Sequence, residues 1–275
     1  MPVGVRPMTL APSRSVLRGF GIEGDPIALV GGEGLTCRVG EVVLKRIHDT
    51  DETEWIQALL SRIEPDGYRI ARPVSTVEGT WLHEGWSASR FVHGLRPAAP
   101  SWEEIGAAGL RFADAAEHVR EGGSDVLSRR THRWAMADRV AWGEQDVDLG
   151  AQATELQHRI RSVLSEPAES ADDEKHFVHG DLSGNVFFDT SGVPVILDVS
   201  PYLRPRRWAL AIVTADAVLW NEAELSLAAS FATDPADRDL LGRALIFRLV
   251  AEQLAEVPRH DAMLQPYRRV LAALA

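Results

Sequence analysis

The sequence predicts an α+β protein of two lobes, with a small sheet lobe over residues 1–94 and a larger helical lobe over residues 95–275. Strand and turn patterns fill the first third of the chain, and helical patterns fill most of the rest. The change between the two patterns falls near residue 95. With 275 residues, of which 45% are apolar, the chain is long and apolar enough to bury a substantial core.

Short apolar segments separated by turn residues predict the strands of the first lobe. These segments are Ala28–Val30, Glu41–Lys45, Val74–Trp81 and Trp86–Val92. A glycine-rich turn, Gly31-Gly32-Glu33-Gly34, follows the first segment, and a polar turn at Glu84-Gly85 joins the last two. Four short segments of this kind predict a small sheet.

Apolar residues at helical spacing predict the second lobe. They recur in this way between Ser101 and Arg120, and Ser101 with Glu104 fits a capping box. The segment Trp208–Trp220 is almost entirely apolar and predicts a core helix, but it is shorter than the roughly 20 residues that cross a bilayer. The chain after Arg207 predicts three helices, with breaks near Asp234-Pro235 and Val257-Pro258.

Composition excludes several classes of protein. The net charge of −11 disfavours nucleic acid as a partner, because phosphate backbones require a clustered basic surface. The acidic balance is compatible with a cationic ligand, although acidity more often serves solubility. The single cysteine, Cys37, excludes an internal disulfide, and residues 1–21 lack the apolar stretch of a secretory signal. We therefore expect a cytoplasmic protein without a membrane segment.

The segment from His179 to Asp198 carries the most informative motif. It reads His-Gly-Asp-Leu-Ser-Gly-Asn, followed by an apolar stretch and Val-Ile-Leu-Asp. Phosphoryl transfer requires a carboxylate to orient the attacking hydroxyl and oxygen ligands to hold magnesium ions, and Asp181, Asn185 and Asp198 supply those groups. The alternative is a turn-rich hairpin in which the same polar residues only cap strands.

This motif resembles the catalytic segment of the aminoglycoside and choline phosphotransferase superfamily, which implies a two-lobed protein-kinase-like fold with an antiparallel N-terminal sheet. The segment Asp198–Pro205 resembles an actinobacterial branch of that superfamily. The resemblance implies ATP and Mg²⁺ as cofactors, Asp181 as the catalytic residue, His179 as a brace of the loop, and Asn185 and Asp198 as metal ligands. Only three residues separate Asp181 from Asn185, where the superfamily usually has four. Val199 and Ser200 replace the Phe-Gly of typical protein kinases, which favours a small-molecule acceptor over a protein.

The glycine-rich turn and the strand that ends at Lys45 resemble a nucleotide-binding hairpin. Gly31, Gly32 and Gly34 would let backbone amides approach phosphate oxygens, and Lys45 would neutralise the α and β phosphates. A glycine-rich hairpin is otherwise an ordinary turn. In this fold a helical glutamate commonly holds the lysine, and Glu52 is the candidate because it aligns with the apolar face of the next helix. Glu52 could equally serve only the helix N-terminus.

The resemblance adds two further groups of residues, and residue spacing adds a third. Phe91, Val92 and His93 lie where the lobes join and would contact adenine. Asp216, inside the apolar segment 208–220, would require a partner and could brace the catalytic loop through its backbone; the alternative is a surface acid. Trp134, Asp138 and Trp142 are spaced by four residues and could form an acceptor site for an amine or sugar; the alternative is two tryptophans that pack in the core beside a surface acid.

The sequence thus predicts an ATP-dependent kinase that phosphorylates a hydroxyl of a small molecule, such as an aminoglycoside or another amino or sugar compound. Two alternatives stay open. A nucleotide-binding pseudokinase would regulate a partner without transfer, as the shortened loop suggests, although Lys45, Asp181 and Asp198 favour catalysis. A nucleotidyltransferase would use the same ligands of ATP and metal but attack another phosphate.

Overall fold

The computed structural model describes residues 11–29, 35–97, 101–119, 122–164, 175–255 and 261–274. Strands and helices occur in both halves, with the strands concentrated at the start and around residue 190. The strands are β1 (Ile27–Ala28), β2 (Thr36–Val39), β3 (Val42–Arg46), β4 (Arg69–Ile70), β5 (Leu82–His83), β6 (Trp86–Arg90), β7 (Arg96–Pro97), β8 (Lys175–His179), β9 (Val186–Phe188), β10 (Pro194–Ile196) and β11 (Pro201–Pro205). The helices are α1 (Arg14–Gly19), α2 (Thr50–Arg62), α3 (Trp102–Glu117), α4 (Gly123–Ser128), α5 (Arg133–Ala141), α6 (Ala151–Leu164), α7 (Trp208–Trp220), α8 (Leu225–Phe231), α9 (Pro235–Gln253) and α10 (Gln265–Leu274).

The first sheet is antiparallel and has the strand order β1-β2-β3-β6-β5. Its two faces differ because successive side chains of a strand point to opposite sides. Val42 and Leu44 of β3 pack with residues of α1 in a small hydrophobic core. Val43 and Lys45 of the same strand line a cavity on the other face. The alternation of β3 therefore aims Lys45 into that cavity.

One predicted strand is absent among the described residues. The segment Val74–Trp81 forms turns, with the Thr76 hydroxyl bonded to Thr80, and only Pro73 makes an isolated bridge to the sheet. The edge strand is the shorter β5, which the turn at Glu84 and Gly85 joins to β6. Both turn residues have positive φ, 48° and 77°, which suits a tight hairpin.

Helices form the larger core of the protein. Helix α7 is buried on every side, as its apolar sequence predicts, and contacts α3 and α9. Helix α9 begins at Pro235, and Asp234 caps it by accepting a hydrogen bond from the Ala236 N–H. Ser101 precedes α3 but makes no side-chain cap there, so the predicted capping box is not formed. The predicted break at Val257-Pro258 lies outside the described residues.

The larger core also contains residues that precede position 95. Leu59 of α2, Ile63 directly after that helix and Ile70 of β4 are buried in it. Strand β4 pairs in parallel with β10, next to the catalytic motif. The division of the chain into two lobes at residues 94 and 95 stays a prediction. Helix α2 precedes that division in the sequence but packs against the larger, helical core. Among the described residues, no helix combines the length and apolarity needed to cross a bilayer.

Candidate active site

A cavity of about 290 Å³ lies between the first sheet, helix α2 and the segment from Gly184 to Val199. Its lining includes five of the residues that the sequence singled out, which come from distant parts of the chain. These are Lys45, Phe91, Val92, Asn185 and Asp198. The predicted Gly31, Gly32 and Gly34 lie outside the described residues. The fold therefore gathers a cation, an amide and a carboxylate at one cavity.

Lys45 and Asp198 form a direct ion pair. The Nζ atom of Lys45 lies 2.6 Å from Oδ2 of Asp198, although 153 positions separate the residues. Their side chains are 42% and 53% exposed, so water screens the pair and its contribution to stability is small. An accessible lysine and carboxylate at a cavity are free to exchange this contact for a phosphate and a cation.

The loop that carries Asp181 closes as a tight turn between β8 and β9. The Leu182 carbonyl accepts hydrogen bonds from the N–H groups of Asn185 and Val186, and Gly184 adopts a positive φ of 84°. Leu182 itself is fully buried. This geometry accommodates the three-residue spacing and still places Asn185 at the cavity.

The Asn185 side chain is oriented by Asp181. Its Nδ2 group donates to the Asp181 carbonyl at 2.7 Å and to Asp181 Oδ2 at 3.0 Å. Both amide protons are thereby used, which leaves the amide oxygen for a cation. The carboxylate of Asp198 lines the same cavity, and amide and carboxylate oxygens are the donors that Mg²⁺ prefers. The residues present therefore fit a magnesium ion.

His179 braces both ends of the catalytic segment. Its Nδ1 atom accepts a hydrogen bond from the Asp181 N–H at 3.0 Å, so Nε2 carries the proton and donates to the Asp198 carbonyl at 2.7 Å. The ring is fully buried, and this desolvation lowers the pKa of His179, against the opposing effect of Asp181 and Asp198. The neutral ring thus fixes the backbone of Asp181 relative to that of Asp198.

The brace makes stability depend on pH. The pKa of His179 is lower in the folded chain than in the unfolded chain, so its contribution to stability is present above the ordinary pKa of about 6.5 and declines as the pH falls below that value. We expect the free energy of unfolding to lose up to about 1.4 kcal/mol per pH unit from this group. Denaturant titrations between about pH 7 and 5 should give a shallower decline for His179→Gln than for the wild type.

The exposed His158 on α6 provides the matched control. His158→Gln should keep the wild-type dependence of stability on pH. If His179→Gln showed the same slope as the wild type, the buried neutral ring would not be the source of the pH dependence.

An arginine that sequence reasoning missed connects Asp181 to the core. Arg248 of α9 binds Asp216 in two hydrogen bonds, of 2.7 and 2.6 Å, and its Nη2 atom also lies 3.0 Å from Asp181 Oδ1. Burial disfavours the charge of Arg248, but the two carboxylates outweigh it and raise the pKa of the guanidinium. Asp216 was predicted to brace the loop through its backbone, and the structure links Asp216 to the Asp181 side chain through Arg248.

Glu52 is not brought to Lys45. Its carboxylate lies 3.2 Å from Nε of Arg130, in the linker between α4 and α5, and both side chains are largely buried. Arg130 also donates to the carbonyl of Pro201 at 2.6 Å. The predicted pairing of Glu52 with Lys45 is therefore replaced by a tether from α2 to the strand that follows Asp198.

The three predicted adenine contacts differ in their surroundings. Phe91 and Val92 line the cavity, but the Phe91 N–H already donates to the carbonyl of Glu41 at 2.9 Å. His93 is exposed and pairs with the Glu41 carboxylate at 2.7 Å. Its ring packs edge-on against Phe91, which gives it a supporting position beside the cavity wall.

The predicted amine site is filled by arginines of the protein. Arg204 binds Asp138 through two hydrogen bonds, of 3.0 and 2.6 Å, and its guanidinium lies over the ring of Trp142. Trp142 also packs against the buried Trp208. Trp134 instead contacts Phe247 and faces Arg248. Both tryptophans therefore pack against the core, as the alternative interpretation held, but Asp138 is buried and is not the surface acid of that interpretation.

Comparisons with known proteins identify the fold. No family model matches the chain. Choline kinase LicA from Streptococcus pneumoniae is 11% identical with a TM-score of 0.53, over 94% of this chain and 95% of that chain. Amicoumacin kinase hAmiN, solved with AMP-PNP and Ca²⁺, is 15% identical with a TM-score of 0.55, over 90% of this chain and 87% of that chain.

A curated relative matches part of the sequence. It is a probable ketoamine kinase of Lactiplantibacillus plantarum, 30% identical over 95 residues. The match spans 34% of this chain and 34% of that protein. The two structural similarities extend over at least 90% of the chain and confirm the predicted α+β architecture. This chain has the protein-kinase-like fold.

Proposed function

We propose that this protein is an ATP- and Mg²⁺-dependent phosphotransferase that acts on a hydroxyl group of a small molecule. The observation that carries the proposal is the meeting of Lys45 and Asp198 at a cavity beside the Asp181 loop. A cation for phosphates, oxygen ligands for a metal and a carboxylate for the acceptor are the groups that phosphoryl transfer requires. The fold shared with two small-molecule kinases supports the same conclusion.

Each residue has a distinct role in this proposal. Lys45 binds the phosphates, while Asn185 and Asp198 hold the metal, which would neutralise phosphate charge when bound. Asp181 orients the acceptor hydroxyl and accepts its proton; Arg248 and Asn185 fix its two carboxylate oxygens. His179 keeps the Asp181 backbone in register with Asp198. Phe91 and Val92 form the wall for adenine.

The acceptor belongs to a class of small hydroxyl compounds that carry an amine or sugar group. The named functions of the similar proteins, choline kinase, amicoumacin kinase and probable ketoamine kinase, support this class. A panel of metabolites incubated with ATP and Mg²⁺, with products read by mass spectrometry, tests it. Addition of phosphate supports the proposal, addition of a nucleotide indicates a nucleotidyltransferase, and nucleotide binding without product indicates a pseudokinase.

Binding of ATP is the first testable consequence. Calorimetry should show ATP binding that strengthens with Mg²⁺, because Asp198 and Asn185 hold the metal against the phosphates. Lys45→Met should weaken this binding about ten- to hundredfold, the loss typical of a hydrogen bond to a charged group. The exposed Lys175 on β8 gives the control, since Lys175→Met should bind ATP like the wild type. A folded wild type that binds no ATP would contradict the proposal.

A further inference from the structure

Helix α2 presents two different faces, and only one of them meets the cavity. Ile56, Gln57 and Leu60 line the cavity together with Lys45. At 3.6 residues per turn, Gln57 lies about 140° around the helix from Glu52. Glu52 is held by Arg130, whose side chain is only 4% exposed. The polar side chain that α2 offers at the cavity is therefore Gln57.

The carbonyl oxygen of Gln57 lacks a partner where one is expected. Oε1 is shielded from solvent and has no hydrogen-bond partner among the described residues. A buried acceptor without a donor is costly, and native structures rarely retain one without a reason. The ammonium group of Lys45, a hydrogen-bond donor, lines the same cavity and is bound to Asp198, not to a residue of α2. The two groups complement each other once Lys45 leaves Asp198.

We propose that Gln57 is the residue of helix α2 that binds Lys45 when nucleotide and metal are bound. The sequence analysis assigned this role to Glu52. This inference rests on the proposed function, because Asp198 releases Lys45 only if it has a cation to hold. Oε1 then accepts a hydrogen bond from Nζ and fixes the ammonium group. A neutral amide orients Lys45 without cancelling its charge, so the full charge acts on the phosphates. Gln57 is a positioning residue that acts through Lys45.

Substitution at position 57 tests this inference by nucleotide binding alone. Gln57→Leu has nearly the same size and removes an unpaired buried polar group, so it should fold at least as stably as the wild type. Its affinity for ATP with Mg²⁺ should fall about tenfold, the loss of one hydrogen bond to a charged group. Gln57→Glu keeps an acceptor and should recover most of the affinity. A wild-type affinity for Gln57→Leu would overturn the inference.

A double-mutant cycle separates positioning of Lys45 from a general effect on the cavity. In a Lys45→Met background, Gln57→Leu should cause no further loss of ATP affinity, because its partner is already gone. Competition with a fluorescent ATP analogue measures the weak binders. An equal loss in both backgrounds would show that Gln57 acts on cavity shape and would overturn the inference. Absence of ATP binding by the wild type would instead remove the proposed function, and this inference with it.

Discussion

Asp181→Asn is expected to lose phosphoryl transfer by a factor on the order of 10²–10⁴ while it keeps the fold and most of its affinity for ATP. The substitution removes the carboxylate that is proposed to accept the proton of the acceptor hydroxyl. It leaves untouched Lys45 and Asp198, the residues proposed to hold the nucleotide and metal. The Asp181 side chain is 46% exposed, so the neutral amide is accommodated without a buried, unpaired group. Chemistry and binding should therefore separate at this residue.

Single-turnover transfer to an acceptor found in the metabolite panel measures the chemical step, and calorimetry measures ATP affinity. The exposed Asp146, in the loop before α6, is the control, because Asp146→Asn makes the same chemical change away from the cavity. It should transfer phosphate at the wild-type rate. Transfer at the wild-type rate by Asp181→Asn would refute the assignment of Asp181 as the catalytic residue.

The structure brings His179, Asp181 and Asn185 together because they lie within one short stretch of the chain. His179, Asp181 and Asn185 are joined to one another by local hydrogen bonds, and the motif specifies these groups. The effect of the shortened loop was harder to predict. Its outcome depends on the positive φ of Gly184 and on the burial of Leu182, which fix the turn only in the folded chain.

The assignment of Glu52 failed because helical phase identifies a buried face but not what that face meets. Leu59 and Ile63 mark the face of α2 that enters the larger core, and Glu52 lies above them at Arg130. The cavity lies on a neighbouring face, marked by Gln57. Two adjacent buried faces are indistinguishable in a sequence until the neighbouring elements are known.

Arg248 was missed although the sequence contained a signal for it. The segment from Ala244 to Ala251 is apolar except for this arginine, as the segment from Trp208 to Trp220 is almost apolar around Asp216. A lone charge in each of two apolar helical segments requires a partner of opposite sign. The structure pairs them 32 positions apart. The sequence pattern could not predict the third hydrogen bond of Arg248, to Asp181, because that contact depends on how α9 packs beside the loop that carries Asp181.

Arg248→Met should lower the free energy of unfolding by about 3–5 kcal/mol, because it strands the carboxylate of Asp216 in the core. Asp216 is only 1% exposed, and its two oxygens bind the guanidinium. Denaturant titration at neutral pH measures the loss. The exposed Arg269 on α10 is the control, and Arg269→Met should change stability by less than about 0.5 kcal/mol.

A second substitution distinguishes an unpaired charge from a lost packing contact. In the double variant Arg248→Met with Asp216→Leu, the stranded carboxylate is gone, so much of the lost stability should return. Phosphoryl transfer should be slower than in the wild type in both variants, since Asp181 lacks the group that fixes its Oδ1. Recovery of stability without recovery of transfer would show that Arg248 serves the core through Asp216 and the reaction through Asp181. If the double variant were as unstable as Arg248→Met, packing of the arginine among Trp134, Trp220 and Phe247 would be the dominant contribution instead.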